Sequence, residues 1–286
     1  MAITAGLSFD NAAQWTSVLV LPALTLILTL AMTDFSGKAH EYGRSPLIPA
    51  LVGVFMSYVI LGNFIVGLGA FLIYDDRLWI GFIIIAGVPP AVAAAPLANS
   101  WGGNKVYAVI GTIGAYIGAL VIIPLIAFGL LDMHSIAITN LIVVAAALIP
   151  LPLLLCKIIL NRGLQGKIEP IKGILIKWCY FLILYTIVGL NRETIIGQPS
   201  SLFPVAAISL ASTFLLGFLI EWVGTLFRIN DEKLTSISLL GTLKNCGLSA
   251  GLALCLFSKE TALPAAVFMI SMIAYIGWLD FKMKWA

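Results

Sequence analysis

The chain has 286 residues, of which 61% are hydrophobic and 10% charged, and its net charge is +3. A soluble domain carries roughly 25% charged residues, so a water-soluble globular protein is excluded. No basic run with interleaved aromatics occurs, so a nucleic-acid partner is excluded too.

The apolar residues fall in runs of about 20 or more, the length a membrane helix needs. They predict an all-α polytopic membrane protein, a single transport domain over 1–286 in the lipid bilayer, with about nine transmembrane helices. The first span is Trp15–Thr33. The stretch before it has no Lys or Arg. A secretory signal needs a basic start, so this span is expected to be retained. Leu47–Ile73 follows, then Trp79–Trp101. That third span contains Gly87-Val88-Pro89-Pro90, with Pro96 further on. Consecutive prolines remove backbone donors and push the preceding residue away from helix, so a break is predicted there. Val106–Leu131, Leu141–Leu160, Ile171–Leu190 and Leu202–Leu226 are the next four. The eighth, Leu234–Phe257, carries Lys244-Asn245-Cys246-Gly247 at its centre, a second predicted break. Ala262–Leu279 closes the set.

Loop charges give the orientation. With the N-terminus outside, inside segments hold Lys38, Arg44, Lys105, Lys157, Arg162, Lys167, Lys172, Arg228, Lys233, Lys282 and Lys284. Outside loops hold Arg77, Arg192 and Lys259, so the bias is eleven against three. The expected location is a plasma membrane, as in the bacterial inner membrane, with a cytoplasmic C-terminus. Lys177 lies near the inner end of its span and can snorkel. Lys244 is the one basic residue at depth.

Each broken span is followed by an unbroken one, and those two share a string: Ala115-Tyr116-Ile117-Gly118 and Ala274-Tyr275-Ile276-Gly277. By the orientation above, the broken spans run in opposite directions. This predicts two inverted repeats, about 15–131 and 141–286, whose discontinuous helices cross. A broken helix exposes amides at one half-helix start and carbonyls at the other end, which attract anions and cations respectively. The plain alternative is a pair of proline kinks.

An ionisable group at mid-membrane is costly unless it faces a cavity or a partner. Lys244 would hold an anionic substrate, or change charge during a transport cycle. The structural alternative is an ion pair, with Glu221 the nearest carboxylate by depth. Gly247-Leu248-Ser249-Ala250-Gly251 matches a hydrolase nucleophile elbow, which needs a strand-to-helix turn and a histidine. His40 and His134 fall in opposite loops, so no enzyme is expected. The same glycines, with Gly114 and Gly118, suit close helix packing. Asp75-Asp76 is expected to be a solvated turn. Cys156, Cys179, Cys246 and Cys255 lack metal-ligand spacing and are expected to be buried thiols.

At these residues the chain resembles the bile acid:sodium symporter family, within the wider group of bile acid, arsenite and auxin carriers. Gly87 to Pro124 resembles the family's first crossing helix and its follower, and Ser236 to Gly277 the second pair. Asn245-Cys246-Gly247-Leu248-Ser249-Ala250 is close to the family's Asn-Ser-Gly-Leu-Ala-Ala pattern. The resemblance implies two inverted repeats forming a panel and a core domain, here a nine-helix member without the family's first helix. It implies a core drawn mostly from 47–131 and 171–286. It also implies an organic-anion carrier, with Asn245 contacting substrate and Asn63 lining the site.

The family binds two sodium ions near the crossing. Its Ser-Asn ligand pair aligns with Ala95 and Pro96, its glutamate with Leu240 and its glutamine with Lys244. A hard cation wants several oxygen ligands; most are absent here and a cation has been gained. No cofactor is expected. The predicted function is secondary transport of a small organic anion by alternating access, without the family's usual sodium coupling. Lys244, Asn245 and Asn63 would bind substrate, while Pro89, Pro90 and Gly247 would hold the breaks. Two other readings stay open: a sodium-coupled symporter whose ligands are backbone carbonyls, and a non-transporting membrane sensor or scaffold.

Overall fold

The computed structural model describes residues 1–33, 46–130, 148 and 150–285. Lys38, His40, Arg44, His134 and the start of the fifth predicted span lie outside the described residues. Every described element is helical, and six helices are long and apolar enough to cross a membrane. The chain is an all-α, multi-pass membrane protein.

The helices are α1 (Ala2–Ser8), α2 (Ala13–Met32), α3 (Leu47–Leu72), α4 (Asp76–Gly87), α5 (Ala94–Ser100), α6 (Lys105–Leu130), α7 (Pro150–Asn161), α8 (Gln165–Leu190), α9 (Arg192–Gly197), α10 (Pro199–Leu226), α11 (Asp231–Leu240), α12 (Cys246–Leu256) and α13 (Lys259–Trp285). The third and eighth predicted spans are thus each divided in two. Local chemistry sets their ends. Asp75 caps α4 by accepting from the Arg77 and Leu78 amides at 2.9 and 3.0 Å. It is a helix start, more specific than the solvated turn expected of Asp75-Asp76. Pro89 and Pro90 prevent α4 from continuing. Asn230 caps α11 through the Glu232 amide at 2.9 Å.

The same order of elements occurs twice. A long helix with a π-helical stretch (55–62 in α3, 211–215 in α10) precedes a broken pair, then a long helix. The two series interlock, because α4 packs on α13 and α11 on α6. The α3–α6 contact is the closest: a Cβ on Gly53 would collide with the Gly111 backbone, and one on Gly114 would sit 2.6 Å from Ala50 Cβ. Gly114 and Gly118 do line a small-residue face, as their spacing suggests.

A second group comprises α1, α2, α7 and α8, packed on one another. The sequence reading drew the core from 171 onward; the contacts put α8 of that stretch chiefly beside α1 and α2. Helix α8 lies along α1 and α2, with smaller contacts to α12 and α13. Apolar composition alone cannot choose between neighbours, since both faces of the helix are greasy. The two groups meet where Gly247 and Gly251 of α12 let Leu24 of α2 approach to 3.2 and 3.0 Å of where a Cβ would lie.

Candidate functional site at the helix crossing

The two breaks meet. Pro90 and Lys244 form an isolated antiparallel bridge. The Ala91 amide donates to the Leu243 carbonyl at 3.0 Å, and the Asn245 amide to the Pro89 carbonyl at 2.9 Å. The bonds therefore flank Pro90, so its missing N–H leaves no gap in the pairing. Two unwound segments, each unable to satisfy itself in an apolar interior, satisfy each other.

Lys244 emerges from this bridge wholly buried, at 0% exposure. Its ammonium donates to the carbonyls of Ala86 and Val88, both at 2.8 Å, and to the Ser57 hydroxyl at 3.1 Å. The Tyr58 ring face lies 4.8 Å from it, and the Tyr58 hydroxyl donates to the Ala115 carbonyl at 2.7 Å. An ammonium has three donors, and all three are used. Two acceptors belong to the C-terminal end of α4, where carbonyls lack helical partners and the dipole is negative. The residue occupies a cage of neutral oxygens plus one aromatic face, a cation's environment. Glu221 does not reach it: that carboxylate pairs with Lys282 at 2.6 Å. Among the described residues, no carboxylate lies within ion-pair distance of Lys244.

Asn245 serves two neighbours. Its carbonyl oxygen accepts from the Leu248 amide at 3.0 Å and caps α12. Its amide donates to the Tyr116 hydroxyl at 2.7 Å. Tyr180 of α8 comes within 3.9 Å of where a Cβ on Gly247 would lie. Tyr116 and Tyr180 were missed as site residues. The only sequence signal was that Tyr116 sits inside the doubled four-residue string. Asn63 stands apart: it is exposed, and its amide donates to the Val59 carbonyl of its own helix at 2.8 Å. Pro89, Pro90, Lys244, Asn245 and Gly247 are brought together, and all are buried.

Ala95, Pro96, Leu240 and Lys244, the positions where the resemblance would place sodium ligands, carry no oxygen in their side chains. Ala95 and Leu240 are buried at 1% and 0% exposure, and Leu240 lies against Gly111. Ser249 lies inside helix α12, away from any strand-to-helix turn. Among the described residues no three His, Cys, Asp or Glu side chains group to hold a metal.

Asn245→Ala should remove the α12 cap, at about 1 kcal/mol, and strand the Tyr116 hydroxyl. A fall in melting temperature of several degrees, read by thermal unfolding, is the expected outcome; an unchanged melting point would contradict the double role.

No family model matches the chain. The chain is 24% identical over 275 residues to an uncharacterized sodium-dependent transporter of Bacillus subtilis, YocS, covering 93% of this chain and 83% of that protein. Together with the membrane-capable helices, this likeness supports a membrane transporter.

Proposed function

We propose that the chain is a secondary transporter of a small organic anion, working by alternating access, in which Lys244 supplies the positive charge at the crossing that a bound cation would otherwise supply. The observation that carries this reading is the ammonium held by Ser57, Ala86 and Val88. Fixed charge there leaves an anion as the species to be balanced, and Asn245 is the adjacent polar side chain with a place in substrate contact. Asn63, on the α3 surface, would line the approach. In this reading the two series of elements are repeats inverted in a plasma membrane, with the N-terminus outside. The group α1, α2, α7 and α8 forms the panel and the rest the core.

A second reading is sodium-coupled symport of the same class of anion, favoured by the name of the Bacillus subtilis relative. Uptake by proteoliposomes of bile acids, keto acids, pantoate-like acids and sulfated compounds tests both. The first reading expects at least one anion to enter down its own gradient with sodium replaced by choline. Accumulation that requires an inward sodium gradient would favour the second. No flux of any anion, with an anion still stabilising the purified protein, would make the chain a sensor instead.

A further inference from the structure

Lys244 carries charge but has no hydrogen left to offer a ligand. Its three go to Ser57, Ala86 and Val88. The unspent donors lie one residue further on. Asn245 gives one side-chain amide hydrogen to the Tyr116 oxygen at 2.7 Å. Its second amide hydrogen meets no acceptor among the described residues, and neither does the hydrogen of the Tyr116 hydroxyl. The Asn245 carbonyl oxygen, by contrast, is taken by the Leu248 amide. Both side chains are enclosed, at 4% exposure each.

Tyr180 adds a third donor from the opposite side. It belongs to α8, in the group formed with α1, α2 and α7, whereas Tyr116 and Asn245 belong to the two interlocked series. Tyr180 is half-buried, and its hydroxyl has no hydrogen-bond partner among the described residues. Gly247 lets the two sides meet. A Cβ there would lie 3.6 Å from Asn245 Oδ1 and 3.9 Å from Tyr180 Cε1, so a glycine keeps any side chain from standing between them. A phenol is protonated at neutral pH and donates. An ionised carboxylate only accepts, and its two oxygens can take several such bonds. The Lys244 charge one residue away favours an anion there and repels a cation.

We propose that Tyr116 and Tyr180 contact the substrate directly, clamping the carboxylate of the anion beside Asn245, while Lys244 supplies charge without touching it. One tyrosine stands on each side of the boundary between the two groups of helices, so a bound carboxylate bridges them. The use of the clamp in transport rests on the proposed function, whereas its binding does not.

Calorimetric titration of the purified protein with cholate, pyruvate and pantoate, each beside its uncharged primary amide, tests the clamp without any flux. At least one acid should bind the parent, and its amide about tenfold more weakly or worse. Tyr116→Phe and Tyr180→Phe should each weaken that acid by about tenfold or more. The melting temperature of Tyr180→Phe should match the parent's, since the lost hydroxyl bonds nothing in the free protein. Tyr185→Phe, one helical turn further along α8, is the control: its hydroxyl donates to the Phe9 carbonyl, and it should bind the acid as the parent does. No binding of any of the three acids, equal binding of acid and amide, or parent-like affinity in either clamp variant would overturn the proposal. Anion transport is decided separately by proteoliposome uptake, so flux with a failed clamp, or a working clamp without flux, tells the two apart.

Discussion

Lys244→Met should reduce anion uptake by about 100-fold or more while leaving a folded protein. Truncating one member of a buried, hydrogen-bonded charged contact typically costs about 2–5 kcal/mol in binding, which is where the expected loss comes from. The fold should survive because two opposed effects act on stability. The change strands the Ala86 and Val88 carbonyls and the Ser57 hydroxyl, each at about 1–3 kcal/mol. It also relieves the burial of a wholly enclosed ammonium, a penalty of several kcal/mol by general experience with buried ions. The breaks themselves stay joined by the backbone bonds at Ala91 and Asn245. Uptake and melting temperature should therefore separate: a large loss of the first with a small change in the second. A proportionate loss of both would make Lys244 a structural strut only.

Gly53→Ala should be the more damaging change for stability. A Cβ at that position would overlap the Gly111 backbone, and backbone cannot rotate aside as a side chain can. Helices α3 and α6 would have to separate along their closest contact. Overpacking usually costs about 1–3 kcal/mol, and this case should reach the top of that range. The damage should also spread to the crossing, because α3 carries Ser57 and Tyr58, and Tyr58 is anchored on α6 at Ala115. Gly67→Ala in the same helix is the matched control. Nothing lies within 4 Å of its added Cβ, so melting should change little or rise slightly. Similar melting points for the two variants would refute the close-contact account.

The parts of this architecture that depend on local chemistry were legible in the sequence. Apolar run length marks the spans, Pro89-Pro90 and Lys244-Asn245-Cys246-Gly247 mark the breaks, and spaced glycines mark the close faces. What was not legible depends on azimuth and on contacts remote in sequence. Depth alone suggested Glu221 as a partner for Lys244, but Lys282 near the end of α13 is the residue it meets. Nothing in the composition near Ser57 or Tyr58 announces a cation cage, because two of its acceptors are backbone carbonyls, which any residue carries. The π-helical stretches at 55–62 and 211–215 have no residue signature either, since such turns arise where packing forces an extra residue into the helix. Tyr180 was invisible for a related reason: α8 had to be placed beside α2 before it could face Gly247.

The most direct test of the lysine's part is anion uptake by Lys244→Ala measured across sodium concentration and pH. Shortening the side chain opens the oxygen cage formed by Ser57, Ala86 and Val88. Uptake should be lost, or should return only as sodium or another small cation is added, while the parent protein shows no such requirement at the crossing. Uptake at the parent rate, with the same response to sodium and to pH, would contradict the assignment of Lys244 as the fixed cation of the transport site.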